Sequence, residues 1–228
     1  MLAALAGVTV AVGLLALAGT GSSAPRPLDG ARRTPRAQQA STAAVSHHNQ
    51  PSPGSLPQTH AYPSSTSPQF RSLMAQLWAG IVASSLTQAL PAFFPQGAYL
   101  RLKAIAAAGA DWSNRLVHDY ALDIAAAHAL LGPDARRARL LAVDVVPSYG
   151  HWVTPGVCAN SLGYYEMPNA RIVYRLAGHV SSFGIASMIS WRGVWYVVHL
   201  GAVLRSADAG VVDDPARGAG TSAYSGTC

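Results

Sequence analysis

Hydrophobic and polar positions divide this chain into three stretches of different character. Residues 1–20 contain no ionisable side chain and consist mainly of Ala, Leu, Val and Gly. Residues 21–69 hold eight of the fifteen prolines and very few apolar side chains. Apolar residues return from residue 70 onward, first at helical and then at strand spacing. The pattern predicts an apolar leader helix over 1–20, a disordered Pro/Ser-rich linker over 21–69 and a single domain over 70–228.

The first half of the predicted domain carries three amphipathic helices. Apolar side chains recur at steps of three and four between Phe70 and Leu86, which is the spacing of one helical face. A second helix is predicted from Gly97 to Ala108. A third is predicted to begin at an N-cap, Asp111, and to end before Gly132, because short polar side chains cap helices and glycine terminates them.

The second half of the predicted domain has the patterns of β-strands and tight turns. Turns are predicted at Pro168-Asn169, at Ala177-Gly178 and at Arg192-Gly193. The last is a two-residue hairpin turn, because Gly accepts the positive φ that such turns require. The predicted strands are 139–146, 162–167, 171–176, 180–191 and 194–204. The fold class that follows is α+β, with three N-terminal helices packed on a curved antiparallel sheet of four to five strands.

The Arg192-Gly193 turn also fixes which residues of the last two predicted strands face each other. Counting outward from it pairs Gly184 with Gly201 and Ala186 with His199. One face of this hairpin is then almost entirely apolar and is assigned to the core. Its residues are Phe183, Ile185, Ile189, Trp191, Val194, Tyr196, Val198, Leu200 and Ala202.

The opposite face of this hairpin is the strongest candidate for a binding site. Facing glycines weaken a strand unless the strand must bend or let another group approach closely. We therefore expect a ligand groove lined by Gly184, Met188, Trp195 and His199. The alternative is a second packed layer that covers this face and leaves His199 bonded to a backbone carbonyl.

Three carboxylates are candidates for acid–base chemistry. Glu166 is the only glutamate and follows two tyrosines, so it is either an acid with a raised pKa or a hydrogen-bond partner of those tyrosines or of Arg171. Asp119 and Asp123 stand one helical turn apart, with Arg115 one turn before them. Their mutual repulsion raises one pKa, or else Arg115 pairs with Asp119 on a solvated face.

The charge of the chain argues against nucleic acid as a partner. The formal net charge is +6, but half of it comes from the linker and the rest is spread over the domain. Phosphate binding needs basic groups clustered on one face. HExxH, paired CxxC, P-loop, GxSxG and dinucleotide-binding glycine motifs are absent from the sequence. We therefore expect no metal site and no cofactor.

The apolar residues 1–20 predict an association with a membrane. A signal-peptide core has about 7–15 residues and a spanning helix about 20. We expect a signal peptide or membrane anchor, and a location that is exported, in the cell envelope or outside the cell. The arginines after residue 20 would place the domain in the cytoplasm by the positive-inside rule. We interpret them as a sign that a basic leader precedes Met1.

The chain has two cysteines, Cys158 in a predicted loop and Cys228 as the final residue. One disulfide between them is expected in an exported protein, and it would tie the Gly-rich tail back to the domain. Closing so long a loop would stabilise the fold by about 4 kcal/mol in the chain-entropy model. Free thiols are one alternative, and a nucleophilic Cys158 near His151 is another.

Several stretches in the second half of the chain resemble a known group of sequences. They are DWSNRL, YYEMPNARIVY, SFGIASMISWRGVWYVVHLGAV and the closing TC. Between Leu90 and Cys228 the chain resembles an uncharacterised family of exported or membrane-anchored actinobacterial proteins, a resemblance that implies location rather than activity. The element order more loosely resembles the nuclear-transport-factor-like cone fold, which includes ketosteroid-isomerase-like enzymes.

The cone-fold resemblance transfers no catalytic Asp or Tyr to a matching position of this chain. We therefore expect a non-catalytic binding or accessory module of the cell envelope. The expected partners are the membrane, through the N-terminal segment, and a protein or an apolar ligand. The alternative is a small-molecule enzyme of the cone fold that uses a groove around His199, with Glu166 or Asp123 as the acid. A third interpretation is an accessory subunit whose anchor helix binds membrane partners.

Overall fold

The structure, a computed structural model, describes residues 52–206 and 208–224. The predicted leader, residues 21–51 of the predicted linker, and Cys228 lie outside the described residues. In the described part, α-helices come first and a single antiparallel sheet follows, so the predicted α+β class is confirmed. The sheet has six strands instead of four to five, because two strands of three and two residues pair with the central strands.

The described part of the chain has five α-helices instead of three. They are α1 (Pro68–Ala83), α2 (Leu86–Ala89), α3 (Gln96–Leu102), α4 (Ala108–Asp111) and α5 (Val117–Leu131). The predicted first helix is divided because Ser84 adopts a left-handed conformation, with φ of 49°, and ends α1. None of the helices among the described residues is both long enough and apolar enough to cross a bilayer.

The predicted N-cap at Asp111 is wrong. Asp111 is the last residue of α4, and a π turn, Trp112–Leu116, joins α4 to α5 without a break. The Asp111 carboxylate instead accepts two hydrogen bonds from Arg115, both at 2.7 Å, and one from the Tyr99 hydroxyl. It therefore holds side chains around the π turn, and the predicted end of this helix, at Gly132 with φ of 65°, is confirmed.

Two strands of thirteen residues form a long hairpin at the centre of the sheet. The strands are β1 (Arg139–Asp144), β2 (His151–Val153), β3 (Tyr164–Leu176), β4 (His179–Trp191), β5 (Val194–His199) and β6 (Ala216–Arg217). β1 and β2 pair with β3, while β5 and β6 pair with β4. β5 pairs with β4 from Ser187 onward and β6 pairs at 181–182, so no strand of the described residues pairs with 183–186 on that side.

The predicted turn at Pro168-Asn169 is wrong. β3 continues through both residues, and Pro168 faces Ser187 of β4. The hairpin turns only at Ala177-Gly178, the other predicted turn of this region, where both residues have positive φ, so that prediction is confirmed. Proline donates no amide hydrogen, and Asn169 has a positive φ of 51°, so this dipeptide distorts a long strand without ending it.

The predicted register of β4 and β5 holds only near their turn. Arg192-Gly193 has the positive φ values of the predicted turn, 53° and 76°, and Met188 faces Val197 as predicted. The next pair, however, joins Ser187 to His199. Val198 is therefore an extra residue on β5, which is the definition of a β-bulge.

The bulge overturns the predicted pairings of Ala186 with His199 and of Gly184 with Gly201. His199 lies on the same sheet face as Ser187, because directly opposed residues of antiparallel strands share a face. β5 ends at His199, so Gly201 belongs to the loop that follows. Hydrophobic alternation carries no signal for a bulge, so the sequence predicted His199 on the wrong face.

The helices pack on the sheet face that the sequence assigned to the core. The ring of Trp78 in α1 lies 5.4 Å from that of Tyr174, measured between ring centroids. The ring of Phe94 lies 6.1 Å from Trp191 and 6.2 Å from Tyr196. These aromatic contacts bury large apolar areas and hold the helical layer against the central hairpin.

The opposite sheet face is covered by extended segments. In the N-terminal one, Gln58 accepts a hydrogen bond from the Arg192 amide (2.7 Å) and donates one to the Ser190 carbonyl (2.9 Å). The Tyr62 ring lies 5.8 Å from Trp195. These residues belong to the C-terminal part of the predicted disordered linker, which therefore lies against the domain. A few polar and aromatic side chains are enough to hold this segment in place, because the folded hairpin gives them a preformed surface to bind.

Candidate ligand-binding cavity

A cavity of about 710 Å³ opens between α3, the central strands and the C-terminal segment. Its apolar lining includes Leu102, Ile189, Val198 and Val203. The polar side chains that converge on it include Lys103, Asn160, Glu166, Ser187 and His199. Cavities of about 300–1,000 Å³ with a largely apolar lining and a few polar groups are typical small-molecule sites.

Strand register explains why Glu166, Ser187 and His199 lie together. Ser187 faces Pro168 on β3, and Glu166 stands two residues before Pro168, so both side chains lie on one face. The β-bulge adds His199 to this face, directly opposite Ser187. The structure thus brings together two of the residues that the sequence proposed for acid–base chemistry.

Glu166 is a buried carboxylate with little hydrogen bonding. The residue is 6% exposed, and the Ser187 hydroxyl donates to Oε1 at 3.1 Å. Oε2 is buried without a hydrogen-bond partner among the described residues, and Nε2 of His151, at 3.9 Å, is beyond hydrogen-bond distance. Burial raises the pKa of Glu166, while the Ser187 hydrogen bond and then the charges of His151 and Lys103 oppose that rise.

Two of the predicted partners of Glu166, Arg171 and Tyr165, bind elsewhere. Arg171 stands on the opposite face of β3 and bonds the C-terminal segment. The Tyr165 hydroxyl lies 3.2 Å from Nδ1 of His60. Nδ1 of His151 lies 3.1 Å from the Tyr149 carbonyl, which can only accept, so Nδ1 carries the proton and Nε2 is the ring atom turned toward Glu166.

Lys103, the only lysine of the chain, lines the same cavity as the only glutamate. Its ammonium group donates a hydrogen bond to the Cys158 carbonyl at 3.1 Å. Burial lowers the pKa of Lys103, and the positive charge of Arg115 lowers it further. The two groups are far apart in sequence, and no motif links them.

Asn160 is a site residue that the sequence did not indicate. It is 2% exposed, and its amide nitrogen donates to the Val157 carbonyl and to the Tyr164 hydroxyl, both at 3.1 Å. Its Oδ1 atom is buried and has no hydrogen-bond partner within the part of the chain that the structure describes. Asn160 is brought to the cavity by an isolated bridge to Lys103, which a loop sequence does not reveal.

His199 lines the cavity as a neutral side chain. Burial, and next the positive charge of Arg115, lower the pKa of His199 to about 4. The ring also lines a second cavity of about 560 Å³, whose other residues include Arg115, Asp119 and Arg205. At neutral pH the imidazole can therefore exchange hydrogen bonds but carries no charge.

Asp123, the other predicted acid, lines neither of these two cavities. It is 2% exposed and accepts hydrogen bonds from the amides of Gly201 (2.9 Å) and Val211 (3.3 Å) and from the Arg205 guanidinium. Burial raises the pKa of Asp123 and these donors oppose the rise. The carboxylate ties α5 to the loop after β5.

Arg205 also determines what the Asp119 carboxylate does. Arg205 approaches Asp119 to 3.3 Å, while Arg115 lies 4.0 Å from Asp119 and pairs mainly with Asp111. The hypothesis of a simple Arg115–Asp119 pair is thus replaced by a network that spans the π turn and α5. Arg205 gave no signal in the sequence, because it lies in the irregular loop between β5 and β6.

The C-terminal segment, residues 213–223, forms one wall of the cavity. Arg171 holds it: the guanidinium donates to the Asp214 carboxylate at 2.6 Å and to the Asp214 carbonyl and the Ser182 hydroxyl at 2.9 Å. Arg171 is 3% exposed. The buried guanidinium of Arg171 thus finds most of its hydrogen-bond acceptors in the C-terminal segment that covers it.

The four residues of the predicted groove occupy different environments. Met188 and Trp195 are 0% and 1% exposed and do not line the cavity. Gly184 and His199 do line it. A Cβ atom at Gly184 would collide with the Asp213 carboxylate, so the glycine accommodates the C-terminal segment.

The predicted Cys158–Cys228 disulfide stays a prediction, because Cys228 lies outside the described residues. Cys158 stands in the turn Val157–Ala159 with a left-handed φ of 56°. That turn adjoins the cavity through the Cys158 carbonyl, which accepts the bond from Lys103.

The site is suited to binding and, by its titratable groups, to proton transfer. Within the described residues, no three His, Cys, Asp or Glu side chains gather as metal ligands would. No family model, curated protein or solved structure matches this chain.

Proposed function

We propose that the protein is an exported or membrane-anchored binding module of the cell envelope. Its domain binds a small molecule with an apolar body and a polar end, and residues 1–20 deliver it to the membrane. The observation that carries this proposal is the cavity of about 710 Å³, whose largely apolar lining includes Glu166 and Asn160, two buried side chains that each have an acceptor atom without a hydrogen-bond partner among the described residues.

The energetics favour a ligand over an empty cavity. A buried acceptor that lacks a hydrogen bond costs about 1–3 kcal/mol, and both Glu166 and Asn160 contain such an atom. A ligand that donates to them recovers this free energy while it covers apolar surface. The unpaired acceptors destabilise the ligand-free protein, and their pairing with ligand donors contributes to the free energy of ligand binding.

Native mass spectrometry of the full-length protein from its own host tests the proposal. We expect a bound small molecule in the wild type and its loss in Ala186→Phe, which fills the cavity from β4. Ala110→Phe is the matched control, because Ala110 is exposed on α4. A wild-type mass equal to the bare chain, with no ligand captured from a lipid and metabolite extract, would contradict it.

One observation favours a second function, that of a small-molecule enzyme. The pKa of Glu166 is raised and that of Lys103 is lowered, and both groups line one cavity, as in sites for general acid–base catalysis. His199, neutral in the same cavity, is the candidate partner. Turnover of an extracted ligand that stops in Glu166→Gln while binding persists would favour this function.

The proposed location has its own test. Protease added to intact cells should digest the domain if it lies outside the membrane, whereas a cytoplasmic marker protein should survive. If the domain survives as well and is digested only after lysis, the proposed export is wrong. Mass spectrometry of the native N-terminus then distinguishes a cleaved leader from a retained anchor.

A further inference from the structure

We infer that the ligand of this cavity is a small organic cation, a primary ammonium group on an apolar body, held by the Glu166 carboxylate. This inference rests on the proposed binding function and adds the chemical class of the ligand. It starts from three observations: the unused hydrogen-bonding capacity of Glu166, the acceptor atom of Asn160, and the balance of charges along the cavity wall.

Glu166 and Asn160 both lack donors. An ionised carboxylate has about four acceptor sites, and Ser187 is the one donor to Glu166 among the described residues. Both amide hydrogens of Asn160 are used, and its oxygen is not. A ligand that complements the two residues must therefore supply N–H or O–H donors. An ammonium group supplies three and accepts none.

The charges along the cavity wall favour a cation among such donors. The ionisable lining residues other than His199 and the tyrosines are Lys103, Glu166, Arg171, Asp213 and Asp214. Arg171 and Asp214 form an ion pair at 2.6 Å, which leaves the Lys103 ammonium against two carboxylates, Glu166 and Asp213. A single positive charge balances the cavity. Burial raises the pKa of Glu166 and of Asp213, and the charge of Asp214 adds to the rise at Asp213, so a cation beside these two carboxylates would favour their ionised forms.

The apolar body follows from the remaining lining. Leu102, Ile189 and Val198 line the cavity. Val203 and Leu204 also line it, although they are apolar residues that are 59% and 95% exposed to solvent. An alkyl or aryl group would bury this surface, with a gain of about 25 cal/mol per Å² removed from water. An amine without an apolar group would leave this apolar surface exposed to water.

Three probes with one chain length test the inference: hexylamine, hexanol and hexanoate, each titrated against the full-length protein at pH 7.5 by ligand-observed NMR. We expect hexylamine to bind at least about tenfold more tightly than hexanol, and hexanoate to bind most weakly. Glu166→Gln, which keeps the shape of the side chain, should abolish the preference for the amine. Asp144→Asn removes the same charge at an exposed position and should preserve it.

The outcomes separate this inference from the proposed function. Equal or tighter binding of hexanol or hexanoate would overturn the ammonium inference and leave a small-molecule site. Unchanged amine affinity in Glu166→Gln would also overturn it. Failure of all three probes to bind at millimolar concentration would count against the proposed binding function as well.

Discussion

Asp123 and Glu166 are both buried carboxylates, yet the protein satisfies one and leaves the other open. Asp123 accepts hydrogen bonds from two backbone amides and from the Arg205 guanidinium. Over residues 52–206 and 208–224, Glu166 accepts one hydrogen bond, from Ser187, and its Oε2 atom has no hydrogen-bond partner. Burial raises the pKa of both, so a raised pKa by itself does not distinguish them. The number of protein donors does, because a satisfied carboxylate stabilises the fold and an unsatisfied one is available to a ligand.

The largest effect is expected when Asp123 is removed. Asp123→Ala leaves two loop amides without their acceptor and removes the more deeply buried of the two carboxylates that pair with Arg205, whose side chain is 8% exposed. We expect the free energy of unfolding to fall by about 3–5 kcal/mol, as when one partner of a buried ion pair is deleted. Denaturant titration measures it, with Asp144→Ala as the exposed control. A fall below about 1 kcal/mol would mean that Asp123 does not fasten the loop.

Loss of the Arg171 guanidinium is expected to have the next largest effect. Arg171→Met removes its hydrogen bonds to Asp214 and Ser182 and should cost about 2–3 kcal/mol. It should also release residues 213–223, so limited proteolysis there should become faster. Arg175→Met changes an exposed arginine of the same strand and should do neither. Unchanged proteolysis would show that other contacts hold the cavity wall.

Because of His199, the free energy of unfolding should depend on pH between about 6.5, the ordinary pKa of histidine, and about 4, the pKa of His199 in the folded protein. The folded pKa of His199 is lowered to about 4, so the unfolded chain binds the proton more readily, and stability is lost as pH falls from 6.5. Relative to His199→Gln, the wild type should lose about 1–2 kcal/mol between pH 6.5 and 5. Denaturant titrations at both pH values measure this. An equal change in both proteins would contradict a lowered pKa, and His179→Gln provides the exposed control.

The smallest change in the free energy of unfolding is expected for substitution of Glu166. Unlike Asp123→Ala, which should destabilise the protein, this substitution should make the protein more stable, relative to the wild type, as pH rises. Glu166→Gln should alter the free energy of unfolding by less than about 1 kcal/mol, because few protein contacts depend on the charge. The raised folded pKa means that wild-type stability is lost as pH rises through that pKa. The variant should therefore gain on the wild type between pH 4 and 8 in parallel denaturant titrations. A loss above about 2 kcal/mol would place Glu166 with Asp123 as a structural residue.

The elements predicted correctly are those whose information is local. Arg192-Gly193 is a turn because glycine accepts positive φ, and Gly132 ends α5 for a related reason. The helical first half and the core face near Ile189 follow from hydrophobic spacing. Pro168 misled the prediction because the same residue type marks either a turn or a distorted strand, and its neighbours do not decide between them.

The candidate site was only partly predictable. Glu166 and His199 were named as candidates because of their chemistry. Their common cavity depends on one extra residue, Val198, which reversed the face of His199. Lys103 and Asn160 meet through a bridge between two irregular segments, and such a bridge leaves no period in either. The sequence could not show which of Asp123 and Glu166 is the structural carboxylate, because hydrogen-bond donors such as Arg205 come from distant positions in the chain.

By itself the sequence determined the order of helices before strands, the last hairpin turn and the inventory of ionisable groups, because each depends on residues that are neighbours along the chain. Only the tertiary structure decided which carboxylate is satisfied, which face His199 occupies and which segments enclose the cavity. Those properties depend on strand register and on contacts between distant residues. A shift of one residue there reverses a side chain without changing the local pattern.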